Sequence, residues 1–181
     1  MTDDSSLFGV PVPDEELAPP PFEVMPTAAY HTTLQAGATL VEKNGWTRLH
    51  LPFMGFTPAK NGGKTFETRK LEARFPVSGP SGDGAQKAVQ IGRRNVVSAA
   101  AAFGLTEPVA LEGGKQGQRL VAQSNEELVE QFNAVAGGRA EVYVVAKERE
   151  RNGAVVQRND GTGPVIDNEI RNVRAVATEG K

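Results

Sequence analysis

The chain contains no cysteine and only two histidines, His31 and His50, among its 181 residues. The lack of thiols excludes disulfides, thiolate metal sites and cysteine nucleophiles, and two histidines are too few for a histidine-rich metal centre. No apolar run approaches the roughly 20 residues that span a bilayer, and the N-terminal MTDDSS lacks the basic start and apolar centre of a secretory signal. We therefore expect a cytoplasmic protein with no cofactor, no metal and no membrane partner.

Catalytic motifs are missing as well. His50 has no recognisable nucleophile motif near it, and the glycine-rich residues 58–64 lack the residue order of a phosphate-binding P-loop. Asp167 and Glu169 stand two apart on a predicted strand and could share a divalent ion in a metal-dependent nuclease, but two carboxylates alone make a poor site. The sequence gives no positive support for an enzyme, and we expect none.

The charge of the chain is unevenly distributed. Residues 1–30 carry six carboxylates and no lysine or arginine, so that this segment is −6, whereas the rest carries 20 basic and 16 acidic residues and is +4. A basic body behind an acidic segment is compatible with a nucleic-acid partner, although a solubilising tail explains the segment equally well. Proline and repelling carboxylates predict a disordered arm at 1–27, followed by a single domain at 28–177 and a short tail at 178–181.

Hydrophobic periodicity predicts a mainly β domain with two helices. Asn44-Gly45 marks a tight hairpin, Pro52 is expected to end the strand ladder or to lie at a sheet edge, and Ser124 with Glu127 forms a capping box. Residues 106–123 show little periodicity and are left as a loop with a short strand near its end. The predicted strands cover about residues 30–41, 46–51, 65–75, 140–149 and 165–177, and the predicted helices about 85–103 and 124–136.

Alternation along the second and third strands places aromatic and cationic side chains together on one face. Trp46, Arg48 and His50 share a face opposite Leu49 and Leu51, because side chains two apart on a strand point the same way. Rings interleaved with cations suit stacked bases and backbone phosphates. The third strand, the glycine-rich loop before it and the last two predicted strands add further candidates. These are Lys64, Phe66, Lys70, Arg74, Tyr143, Lys147, Arg149, Arg171 and Arg174.

Three strands, a helical insertion and a closing hairpin fit a five-stranded Greek-key barrel of the oligonucleotide-binding (OB) kind, although other small β-barrels would share this periodicity. The segments GWTRLHLPF, KTFETRKLEARF, IGRRNVVSAAAAFGL, GRAEVYVVAKERERNG and DNEIRNVRAV resemble those of phage single-stranded DNA-binding proteins of the replication and recombination type, which have an OB fold. The resemblance covers roughly residues 30–177.

The resemblance implies a non-enzymatic protein that coats single-stranded DNA inside an infected host cell, with replication or recombination proteins as further partners and self-association left open. Trp46, Phe66 and Tyr143 would then stack on bases. The cations along the phosphates would be Arg48, Lys64, Lys70, Arg74, Lys147 and Arg149.

The rival hypothesis is a structural or adaptor β-barrel, such as a virion or assembly protein, with no nucleic-acid role. In that case Trp46 and Phe66 are buried and the cations are ordinary solvated surface. The position of these two rings distinguishes the hypotheses.

Overall fold

A computed structural model describes residues 23–60, 62–158, 161 and 163–177. The strands are β1 (Ala28–Leu34), β2 (Thr39–Lys43), β3 (Trp46–Pro58), β4 (Phe66–Ser78), β5 (Thr106–Ala110), β6 (Gln116–Leu120), β7 (Arg139–Glu148), β8 (Glu150–Arg151), β9 (Ala154–Val155) and β10 (Ile166–Arg174). The helices are α1 (Asp83–Ala102) and α2 (Asn125–Ala134). The predicted mainly β class with two helices is confirmed.

Five strands form a closed ring in the order β1, β3, β4, β10, β7 and back to β1. Every neighbouring pair is antiparallel except β4 and β10, which run parallel and share a single registered pair, Ala73 with Ile170. We call this weakly paired junction the seam. β2 lies outside the ring and pairs only with β3, through the predicted Asn44-Gly45 turn, in which both residues have positive φ.

The core lies inside the ring and follows the predicted alternation. Leu49, Leu51 and Phe53 of β3 are fully buried. They stand opposite Phe75, Ala73 and Leu71 of β4, because cross-strand partners point to the same side of a sheet. The alternation predicted for these two strands is therefore confirmed over residues 49–53 and 71–75, with an apolar inner face and a polar outer face.

Three predicted element boundaries are wrong. β3 continues through Pro52 to Pro58. Pro52 has no backbone N–H to donate, but its carbonyl accepts a hydrogen bond from Gln35 N at 2.8 Å. The predicted first strand divides at a turn held by Asn133, whose Oδ1 accepts from the amides of Gly37 and Ala38 at 2.8 and 2.9 Å. The predicted loop at 106–123 contains the β5–β6 hairpin.

Both predicted helices are present, and each end lies within two residues of the predicted one. Gly104 has φ 72 directly after α1, and Ser124 Oγ accepts from Glu127 N at 3.1 Å at the start of α2. The Glu127 carboxylate accepts from Gln123 N at 2.7 Å, one residue earlier than a capping box predicts. Neither helix is long and apolar enough to cross a membrane.

Helix α1 holds the two strands of the seam together from one side. Asn95 Nδ2 donates to the Arg171 carbonyl at 3.2 Å, and Ser98 Oγ donates to the Val173 carbonyl at 2.7 Å, so α1 is fixed to β10. On β4 the helix comes so close that a Cβ on Gly92 would lie 1.9 Å from the Pro76 carbonyl oxygen. Only glycine fits at this crossing.

Residues 23–27 pack against the ring near the other end of the seam. Met25 is fully buried; its amide donates to Asn168 Oδ1 at 2.9 Å, and Asn168 Nδ2 donates back to the Met25 carbonyl at 2.8 Å. Thr27 Oγ accepts from Ala146 N at 2.9 Å. The last five residues of the predicted arm thus contact the domain. Residues 1–22 and 178–181 lie outside the described residues, so the predicted disorder of the arm up to residue 22 and the predicted short tail stay predictions.

Replacing Gly92 by alanine should lower the free energy of unfolding by about 1–3 kcal/mol, because the new methyl group forces α1 away from β4. Gly84→Ala is the matched control, since a Cβ there meets nothing within 4 Å and alanine is the better helix former. Urea denaturation measures both variants. Equal midpoints for the two would contradict the close crossing.

Candidate nucleic-acid interface

A groove of about 1120 Å³ opens on the outer face of the ring along the seam. Five of the predicted cations meet in it although they come from β3, β4, β7 and the loop before β8. We call it the seam groove, and its walls are formed by Arg48, Pro52, Lys70, Leu71, Glu72, Arg74, Lys147, Glu148, Arg149, Glu150, Asp167, Asn168 and Glu169.

The seam groove exists because β4 and β10 pair at one position only. β10 also carries a register shift between Ile170 and Asn172, and such a bulge bends a strand locally. The two strands are therefore not joined by a continuous ladder, and the outer side chains of β3 and β4 face those of β7 and β10 across the seam.

The charges in the seam groove are balanced, since its five cations meet five carboxylates. Arg74 pairs with Glu72 at 3.1 Å, and Arg149 donates through Nε to Asp167 Oδ2 at 2.8 Å. This hydrogen bond lowers the pKa of the Asp167 carboxyl below its ordinary value and raises the pKa of Arg149. Two of the five cations are thus already engaged.

The other three cations, Arg48, Lys70 and Lys147, form no ion pair with any described residue. They come from three strands and surround one groove. An incoming anion can contact them without first displacing a carboxylate. These three residues are the ones on which an electrostatic contact with a ligand would depend.

Trp46 lies beside the groove and is half-buried. One side of its ring packs on Gly79, where a Cβ would come within 2.7 Å of the indole. The Arg48 guanidinium carbon lies 5.5 Å from the ring centroid, within cation–π distance. Arg48 lines the seam groove, so Trp46 contacts a residue of the groove wall.

Phe66 does not lie on the outer face, and its predicted alternation with Lys70 is wrong. It stands opposite the buried Phe56 and packs edge-on against Tyr30, with ring centroids 6.3 Å apart. The register of the β3–β4 pair shifts between Met54 and Phe56, where Gly55 has φ 71. Beyond this shift the side chains of both strands point to the opposite face from the one that simple alternation predicts. Lys64 covers the remaining side, with its Nζ 5.9 Å from the Phe66 centroid.

The remaining predicted site residues lie outside the groove walls. His50 contacts Glu72 at 3.3 Å, and Lys64 pairs with Glu23 at 2.5 Å. Tyr143 is 46% exposed on the outer face of β7, where Ala29 and Asn172 are its cross-strand neighbours. Arg171 pairs with Glu169 at 3.0 Å, and Arg174 pairs with Glu141. His50 and Arg171 thus touch the groove only through its carboxylates Glu72 and Glu169.

The sequence interpretation missed the pairing of the groove carboxylates with the cations. It considered Asp167 and Glu169 only as possible ligands of a divalent ion, although alternation places both on one face. Each of these two is paired with an arginine. In the part of the chain that the structure describes, no group of three histidine or acidic side chains could hold a metal ion.

Comparison with protein-family models finds none that matches the chain, and comparison with curated proteins finds no match. The fold and groove define the protein as a mainly β protein with five strands in a ring and a charge-balanced groove along its parallel seam. Its function has to be argued from that groove.

The Asp167 carboxyl should titrate below the ordinary aspartate value of about 3.9, and Arg149→Gln should raise its pKa towards that value. Because the folded state lowers this pKa, the pair stabilises the fold at neutral pH. That stabilisation is lost as the pH falls through the folded-state pKa. NMR titration of the carboxyl carbon measures both pKa values, and an unchanged pKa in the variant would contradict the pairing.

Proposed function

We propose that the protein is a non-enzymatic single-stranded DNA-binding protein that coats strands in replication or recombination. The observation that carries the proposal is the seam groove, which holds three cations without an ion-pair partner in the described chain, Arg48, Lys70 and Lys147. Arg48 also lies 5.5 Å from the centroid of the Trp46 ring. Cations that track phosphates next to an aromatic ring are the recurring elements of sequence-tolerant strand binding.

The strand order supports an OB fold for this domain. β1, β3 and β4 form an antiparallel series, α1 follows, and β7 and β10 close the ring by pairing with β1 and, in parallel, with β4. In a Greek-key barrel of the OB kind, the second and third strands and the loop between the fourth and fifth accept oligonucleotides. Here β3 and β4 hold Arg48, Lys70 and Arg74, and the connection from β7 to β10 holds Arg149 and Glu150.

The charge balance limits how strongly binding depends on salt. If only the three unpaired cations release counterions from a single strand, log K should fall with log salt at a slope of about −2, since each contact contributes about −0.7. Engagement of all five cations would give a slope of about −3.5. The salt slope therefore reports whether the Arg74 and Arg149 ion pairs stay closed when the strand binds.

A structural or adaptor role is the second candidate, and one specific observation favours it. Phe66 packs against Tyr30 on the core side, and two of the groove cations are already paired with carboxylates. In such a protein the groove would be surface without a ligand. Binding measurements separate the two candidates, because an adaptor of this kind shows no affinity for oligonucleotides even at low salt.

Lys70→Gln with Lys147→Gln should weaken binding to a dT oligomer by about 25-fold at 0.1 M salt, since each lost contact costs about fivefold there. Trp46 is the only tryptophan in the chain, so quenching of its fluorescence measures binding beside the groove. Lys87→Gln with Lys115→Gln removes the same charge from exposed positions elsewhere and should leave affinity nearly unchanged. No binding by the unmodified protein at low salt refutes the proposed function.

Asp167→Asn should raise affinity for the same dT oligomer by about fivefold at 0.1 M salt and make the salt slope steeper by about 0.7, because it frees Arg149 for a phosphate. Glu107→Gln is the matched control, since it opens the exposed pair with Arg119 on the β5–β6 hairpin and changes the net charge equally. Equal gains in both variants would mean that net charge alone, and not the seam groove, sets the affinity.

A further inference from the structure

A second pocket, of about 260 Å³, lies on the outer face where β1 and β3 meet the start of β4 and of β7. It combines four threonines with a guanidinium, an imidazole and one carboxylate, and one of the four, Thr32, already donates a hydrogen bond from its hydroxyl to the Met54 carbonyl at 3.1 Å. We call it the threonine pocket, and the residues that matter for its chemistry are His31, Thr33, Thr57, Thr65, Glu67 and Arg139.

Three hydroxyls and the guanidinium of the threonine pocket are available to a ligand. Within the described chain, the hydroxyls of Thr33, Thr57 and Thr65 form no hydrogen bond to another residue, and Arg139 forms no ion pair. Arg139 stands directly opposite Thr33 across the β1–β7 ladder. A guanidinium beside several hydroxyl donors suits an oxyanion such as a phosphate group. Glu67 is the one carboxylate in the wall.

His31 is held in the wall of this pocket by a buried carboxylate. Its Nε2 lies 3.5 Å from Glu141 Oε2, and Glu141 is only 8% exposed. Arg174 donates through Nε to Glu141 Oε1 at 2.6 Å. The charge of Arg174 is thus opposed by Glu141, which leaves Arg139 as the cation of the threonine pocket.

The threonine pocket adjoins the seam groove along β3. Met54 lines the pocket and is the registered partner of Lys70, which lines the groove. Directly opposed residues of an antiparallel pair have Cβ atoms about 5 Å apart. On β7, Arg139 and Lys147 are eight residues apart, which is roughly 26 Å along a strand. The two sites are therefore neighbouring parts of one outer surface, and Arg139 lies far from Lys147 along it.

We propose that the threonine pocket is a second phosphate site for the same nucleic-acid strand, with Arg139 as its principal contact. The inference rests on the proposed function, because the strand reaches the pocket by crossing Met54 from the seam groove. A short strand fills the groove alone, whereas a longer one also places a phosphate between Arg139 and the hydroxyls. Arg139 thereby contributes to affinity only above a threshold strand length.

The test compares dT oligomers of about 4 and about 16 nucleotides, the two ends of the range occupied per OB fold. Arg139→Gln should weaken binding of the longer oligomer by about fivefold at 0.1 M salt and leave the shorter one unchanged. Arg94→Gln, an exposed arginine of α1 without an ion-pair partner in the described chain, is the control and should change neither. Thr57→Val, which removes a hydroxyl without changing charge, should also weaken only the longer oligomer.

Each result is decisive for one of the two proposals. An equal loss for both lengths in Arg139→Gln, or no loss for either, overturns the second phosphate site while the seam groove stands. Failure of the unmodified protein to bind either oligomer refutes the proposed function itself. A length-dependent loss in both Arg139→Gln and Thr57→Val, with Arg94→Gln unchanged, supports the second site.

Discussion

The structure depends on how the ring closes between β4 and β10, which share one registered pair. A ladder this short leaves most of the closure to other contacts. α1 approaches Pro76 at Gly92 and binds β10 through Asn95, while Asn168 binds both backbone groups of Met25. The incomplete pairing that needs these supports is also what opens the seam groove. The short ladder between β4 and β10 therefore accounts for the glycine at position 92, for the packing of residues 23–27 against the ring and for the seam groove.

Ion pairs between arginines and carboxylates decide which cations of the groove are free to contact the phosphates of a strand. Ion pairs at exposed positions contribute little to stability, but Arg74–Glu72 and Arg149–Asp167 keep two cations from acting as free phosphate ligands. Arg48, Lys70 and Lys147 remain, and Arg48 also contacts Trp46. Such a surface would attract a strand only moderately, through the three unpaired cations and through the indole that Arg48 contacts.

Local patterns predicted the parts of the fold that local chemistry determines. The Asn44-Gly45 turn, the cap at Ser124 and the alternation of Leu49 and Leu51 depend on neighbours in sequence, and all are present. The face of Phe66 could not be predicted, because it follows from a register shift near Gly55. The groove carboxylates acquire their role only when distant strands meet across the seam. The β5–β6 hairpin was missed because its short strands, QGQRL among them, have little apolar alternation.

The central claim is that a strand binds along the outer face at the seam. The most direct test is to map amide chemical-shift changes by NMR on adding a dT oligomer at low salt. The account predicts the largest changes around Arg48, Lys70 and Lys147, and at the indole of Trp46. Changes confined to α1 and the β5–β6 hairpin, with the seam groove unaffected, would contradict it.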